Sequence, residues 1–156
     1  RALAILGEKS GVGGMLGGQS VDVEKTGERL DATTLDFIYR LKTGALLEAA
    51  FMMGAALGGA SEAEISCAEQ IGRAVGLAFQ IQDDILDETA TEAELGKPLH
   101  SDEKNQKTTY VSLFGLEAAR EAVRQQSEAA ERRLLEFPGE TETLAALIAY
   151  LTDRRF

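Results

Sequence analysis

The chain has one cysteine, one histidine, two prolines and no tryptophan. A single thiol, Cys67, excludes an internal disulfide and suits a reducing compartment; a small buried hydrophobe is its ordinary role. The lone histidine, His100, has no imidazole or thiolate neighbour in sequence, which argues against a zinc centre and for a surface position. Scarce proline and plentiful Ala, Leu and Glu favour helix, and no stretch alternates apolar and polar residues as a half-buried strand would. Basic residues are also few: 16 Lys and Arg stand against 26 Asp and Glu, a net charge of −10. Such a balance excludes non-specific nucleic-acid binding, which needs a basic surface. Long apolar runs are missing too. Gly44 to Ala60 is the sole candidate for a membrane span, but it is short and holds Glu48 at its centre. It reads as a buried core helix. Arg1 to Leu6 is too short for a signal peptide and soon meets Glu8 and Lys9. Arg1 is not a natural initiator, so the chain is expected to begin inside a longer one.

What is present suits one domain over residues 1–156, with 44% hydrophobic and 27% charged residues. Residues 2–10 read as helix. Gly11, Gly13, Gly14, Gly17 and Gly18 then imply a break or close backbone packing. Val21 to Leu30 reads as loop. Thr33 to Asp36 fits a capping box opening a helix to about Leu57, which Gly58-Gly59 ends. Ser61 to Glu64 fits a second capping box, and its helix runs to about Glu88. Ile65, Ala68, Gly72, Val75, Phe79, Gln82 and Leu86 keep helical spacing there, with Ile71, Leu77, Ile81 and Ile85 as a second stripe. Thr89 to Lys107 reads as a long loop. Shorter helices are expected over Thr109 to Phe114, Leu116 to Glu136 and Thr141 to Asp153. The last carries Leu144, Leu147, Ile148 and Leu151.

The sharpest feature is Phe79-Gln80-Ile81-Gln82-Asp83-Asp84-Ile85-Leu86-Asp87. At ~100° per residue, positions 80, 83, 84 and 87 share one arc of the helix. Acids at i and i+4 repel, and the end of a helix disfavours anions. Breaking two local rules at one place points to function. Oxygen ligands with room for water suit magnesium, and the spacing does not fit an EF-hand loop. On the residues alone, a metal site and a solvated helix end both remain open. So do a solvated and an anion-binding role for Lys42.

The run resembles the second aspartate-rich motif, DDxxD preceded by FQ, of the trans-isoprenyl diphosphate synthases, with the farnesyl diphosphate synthase branch nearest. Three further stretches match in order: Gly17-Gly18-Gln19-Ser20-Val21-Asp22, Lys42-Thr43-Gly44, and Gly96-Lys97 followed by Asp102 and Lys107-Thr108-Thr109-Tyr110. The resemblance implies an all-α helical bundle of the isoprenoid synthase type, incomplete, spanning only the C-terminal half of such an enzyme. It implies condensation of an allylic diphosphate (dimethylallyl or geranyl diphosphate) with isopentenyl diphosphate. Magnesium would be held by Asp83 first, with Asp87 and Asp84. Lys42, Thr43, Gln80, Lys97 and Lys107 would bind the allylic diphosphate, Lys42 and Asp83 being the catalytic pair. Gln19 and Asp22 either support the cavity or pack a helix end. Tyr110 and Phe79 line the cavity or belong to the core. Arg154 and Arg155 resemble a basic tail that closes over the site, and Lys104 has no match.

A cytoplasmic homodimer is also implied. The first aspartate-rich motif has no counterpart here, so the N-terminal half is expected to be missing and the 156 residues alone to be inactive. Two alternatives stand beside this reading: a non-catalytic interaction subunit of a heteromeric synthase, and a terpene cyclase.

Overall fold

A computed structural model describes residues 1–89 and 107–152. The expected loop from Thr89 to Lys107 therefore falls almost wholly outside the described residues. Gly96, Lys97, His100, Asp102, Lys104, Arg154 and Arg155 lie outside them as well. All regular structure among the described residues is helical: α1 (Ala2–Ser10), α2 (Met15–Glu24), α3 (Ala32–Ile38), a π-helical turn (Tyr39–Gly44), α4 (Ala45–Leu57), α5 (Glu62–Thr89), α6 (Tyr110–Phe114), α7 (Leu116–Leu134) and α8 (Glu142–Thr152). This is the all-α fold class that the sequence implies. Among the described residues no helix is long and apolar enough to cross a membrane.

The 28-residue α5 is the axis, and it packs most extensively against α4 and α7. Its start follows the expected capping box. Ser61 N–H donates to Glu64 Oε2 at 2.6 Å, and Glu64 N–H donates to Ser61 Oγ at 3.3 Å. Val75, Ala78 and Ile81 are wholly buried. Three apolar clusters surround the axis. One joins Leu35, Ile38 and Tyr39 to Ala78, Ile81 and Ile85 of α5 and Ala119 and Val123 of α7. A second joins Ile71 and Val75 to Ala130, Leu134 and Ile148. The third joins Ile5 of α1 to Ala49, Met52 and Ile65. In α8 only Ile148 of the expected stripe is buried; Leu147 is 43% exposed.

Three local expectations are corrected. The stretch read as loop from Val21 begins inside a helix: Val21 to Glu24 close α2, whose backbone packs on the π-helical turn, and only the residues from Lys25 on are turn; tertiary contact overrides the weak propensity of Gly17 and Gly18. The cap of α3 is Asp31 rather than Thr33: Asp31 Oδ1 accepts from Thr34 N–H at 2.7 Å. Aspartate is the stronger N-cap of the two. The third correction is the long helix expected from Thr33 to Leu57. It is interrupted by the π-helical turn, a form that recurs at functional sites. Glycines let these backbones meet. A Cβ on Gly76 would lie 2.8 Å from Gly44 Cα, and one on Gly72 would lie 2.7 Å from Glu48 Cα.

Glu48, in the first turn of the apolar α4, is buried but paired. It accepts from Lys9 Nζ and, at 3.0 Å, from Arg73 Nε, while Lys9 also reaches Glu69 Oε1 at 2.6 Å. Burial opposes the charge on Lys9, but the hydrogen bonds to Glu48 and Glu69 outweigh it and hold its pKa above the ordinary 10.5.

Candidate functional site

Lys97 lies outside the described residues, and the expected site residues among the described ones lie on three segments that are distant in sequence. The π-helical turn carries Lys42 and Thr43, the C-terminal half of α5 carries Gln80 and the acids, and the chain entering α6 carries Lys107. The fold brings them together. A cavity of about 110 Å³ is lined by Asp22, Tyr39, Lys42, Thr43, Gln80, Asp84, Lys107 and the apolar Leu30, Leu35 and Ile38. A wider neighbouring cavity of about 580 Å³ is lined by Arg29, Asp84, Asp87, Glu88, Lys107 and Thr108 among others. Asp84 and Lys107 border both.

Each group is held by named contacts. Lys42 Nζ donates to Asp22 Oδ2 at 2.5 Å, so α2 anchors the turn's ammonium. That approach requires Gly18: a Cβ there would sit 2.4 Å from the Lys42 backbone nitrogen. Thr43 Oγ1 donates to Gln80 Oε1 at 2.8 Å, tying the turn to α5. Thr108 Oγ1 accepts from Leu30 N–H at 2.9 Å, which fixes the third segment to the turn after α2, where Gly27 takes φ +82°. Thr109 then caps α6 in a reciprocal box with Ser112. Lys107 is exposed and makes no ion pair among the described residues.

The three aspartates differ. Asp84 is 4% exposed, and its Oδ2 accepts from Tyr39 Oη at 2.6 Å and from Tyr110 N–H at 2.7 Å. Asp87 is 7% exposed and borders the wider cavity. Asp83 is half-buried and is not among the described lining residues of either cavity. Among the described residues, no three His, Cys, Asp or Glu side chains converge on one metal position. Tyr110 packs into the first apolar cluster and against Phe114, with ring centroids 4.6 Å apart, so core packing accounts for it.

Sequence reading missed two partners. Asp22 was legible only as part of a matched stretch, and its pairing with Lys42 was not. Tyr39 carried no signal, because a tyrosine within Ile-Tyr-Arg-Leu reads as ordinary core.

Comparison with known proteins defines the class to which this arrangement belongs. Residues 3–148 match the family model for polyprenyl synthetase, and the chain belongs to that family. It is 41% identical over 158 residues to a dimethylallyltranstransferase of Fischerella ambigua (strain UTEX 1903), covering 99% of this chain and 46% of that protein. It is 40% identical over 134 residues to a farnesyl diphosphate synthase of Geobacillus stearothermophilus, covering 86% of this chain and 45% of that one. Among solved structures, an FPP/GFPP synthase from Zymomonas mobilis superposes with a TM-score of 0.78 at 31% identity, over 96% of this chain and 49% of that chain. A geranyltransferase from Helicobacter pylori, complexed with magnesium and isoprenyl diphosphate, gives 0.75 at 29%, over 97% and 48%. The chain thus spans less than half the length of these curated relatives.

Proposed function

We propose that the protein is a prenyltransferase that condenses an allylic diphosphate, dimethylallyl or geranyl, with isopentenyl diphosphate, with magnesium as cofactor. The observation that carries this reading is the convergence of Lys42, Thr43, Gln80 and Lys107 around one cavity. In a chain of net charge −10, two ammonium groups beside the amide donors of Gln80 make a local site for a diphosphate.

Each residue then has a role. Lys42 spends one of its three donors on Asp22 and keeps two for phosphate oxygens. Gln80 accepts from Thr43 through Oε1, which leaves its amide donors for the ligand. Lys107 supplies an exposed point charge at the mouth of both cavities. Leu30, Leu35 and Ile38 make part of the wall apolar, which limits water around a reactive carbocation.

The donor chemistry fits magnesium. Asp83 and Asp87 are hard oxygen donors at i and i+4 of α5, and one or two carboxylates plus substrate phosphates are a usual magnesium set. These two residues would hold the ion, whose contribution is Lewis-acid neutralisation of the leaving diphosphate. The H. pylori geranyltransferase is complexed with magnesium and isoprenyl diphosphate, which supports magnesium as the choice of ion. In the reaction, the allylic carbon–oxygen bond breaks, the isopentenyl double bond attacks the allylic cation, and a proton is lost to the departing pyrophosphate.

The reading includes a cytoplasmic homodimer, a binding role for Lys97, and negligible turnover by these 156 residues alone. One aspartate-rich ledge supplies only part of the cage that aligns two substrates. The test is incubation of the protein at its natural length with magnesium, geranyl diphosphate and labelled isopentenyl diphosphate. A labelled prenyl diphosphate, longer than geranyl, is expected. Hydrocarbon formed from farnesyl diphosphate alone would identify a cyclase instead, and absence of both products would end the reading.

A further inference from the structure

We infer that Asp84 is a positioning residue, not a metal ligand: with Tyr39 and Tyr110 it locks the two lysine-bearing segments across the cavity. This rests on the diphosphate-binding reading above and deepens it. The carboxylate is buried, and one oxygen, Oδ2, takes two donors from two different segments. The phenol of Tyr39 opens the π-helical turn that carries Lys42, three residues on. The backbone N–H of Tyr110 opens α6, three residues after Lys107. Asp84 and both lysines border the same cavity. A charged acceptor shared by two short donors is a strong anchor in a buried setting. This oxygen joins the two lysine-bearing segments directly, and with the Asp22, Thr43 and Thr108 contacts it fixes the separation of Lys42 from Lys107 and so the fit to a diphosphate. Asp83 and Asp87 are left to the metal.

The test uses the protein at its natural length and three readouts. In amide hydrogen exchange, Asp84→Ala is expected to speed the Tyr110 amide about tenfold or more, the loss of one charge-assisted hydrogen bond. Asp84→Asn keeps an acceptor oxygen and should speed it less than about threefold. By calorimetry with magnesium and inorganic pyrophosphate, Asp84→Asn should retain magnesium uptake while Asp83→Asn lowers affinity at least about tenfold. In steady-state kinetics, Tyr39→Phe should raise KM for the allylic diphosphate about three- to tenfold and change kcat less than about twofold.

Equal loss of magnesium uptake in Asp84→Asn and Asp83→Asn would overturn the inference. So would an unaltered Tyr110 exchange rate in Asp84→Ala. Should Asp84→Ala fail to fold, the Asn pair still decides, because a ligand role demands loss at both positions. Failure of the unmutated protein to take up magnesium with pyrophosphate would instead remove the functional reading, and the exchange experiment would still judge the lock.

Discussion

Gly18→Ala sets two physical arguments against each other. Gly18 lies inside α2, and alanine is favoured over glycine in a helix interior by about 1 kcal/mol. Packing argues the other way. A Cβ at this position would stand 2.4 Å from the Lys42 nitrogen, 2.8 Å from Leu41 Cβ and 2.9 Å from Leu41 C. Two of these are backbone atoms of the π-helical turn and cannot swing aside like the tip of a side chain. Overpacking of this kind costs about 1–3 kcal/mol, and rigid neighbours place it at the upper end. Displacing α2 also parts Asp22 from Lys42. That pair is 24% and 34% exposed, so its loss adds only about 0–1 kcal/mol.

The steric term wins, with a net loss of about 1–3 kcal/mol. At about 2–4 °C per kcal/mol for a chain of 150–250 residues, the melting temperature should fall by about 2–12 °C. The assay is thermal unfolding by circular dichroism, run beside Gly7→Ala. A Cβ on Gly7 meets nothing within 4 Å, so only helix propensity acts there and the melting temperature should rise. A Gly18→Ala protein that melts at or above the wild-type temperature would refute the claim that α2 is seated on the π-helical turn by this glycine.

Three other outcomes are expected. Asp22→Asn weakens the anchor of Lys42 and should raise KM for the allylic diphosphate about fivefold, the equivalent of about 1 kcal/mol; an unchanged KM would release Lys42 from Asp22. The raised pKa of Lys9 gives a stabilisation that is complete below pH 10.5 and is lost as pH climbs through the folded value above it. Melting temperatures measured across that alkaline range should fall in the wild type and fall less in Lys9→Met; equal slopes would dismiss the Lys9 network as the cause. Thr109→Ala removes the α6 cap and should cost about 1 kcal/mol of local stability, read as faster exchange at Ser112 N–H. Unchanged exchange there would show that Tyr110 and Asp84 hold α6 without the cap.

Where one face of a helix meets one core, spacing in the sequence is enough to read it. Ala119, Val123, Ala130 and Leu134 recur at helical spacing and form the buried stripe of α7, and Ser61 with Glu64 opens α5 as its capping pattern requires. The π-helical turn escaped notice because Leu35, Ile38 and Leu41 keep an apolar spacing compatible with a continuous helix. In α2 the glycines leave a break and close backbone packing both open in the sequence, and only contact with the π-helical turn decides for packing. The site shows the same divide. Lys42, Thr43, Gln80 and Lys107 could be found through matched motifs. The bond from Tyr39 to Asp84 spans 45 positions, and local pattern holds no trace of such a pair.

Several departures from local rules gather at the site. A π-helical turn, a glycine against backbone, a positive φ at Gly27 and buried acids at 84 and 87 all border or brace the same two cavities. Acids and bases on the exposed helix surfaces are arranged differently. On α7, Glu117 with Arg120 and Glu121 with Arg124 are exposed i,i+3 pairs that obey the usual preference. Stability alone would favour the second arrangement throughout, since exposed pairs avoid the desolvation that a buried carboxylate suffers. Asp84 and Asp87 are kept against that preference in a chain already rich in acids. Placing cation donors and anion acceptors around one cavity gives that cost a purpose, and it explains why three segments, each weakly specified alone, are tied to one another by Asp22, Thr43, Asp84 and Thr108.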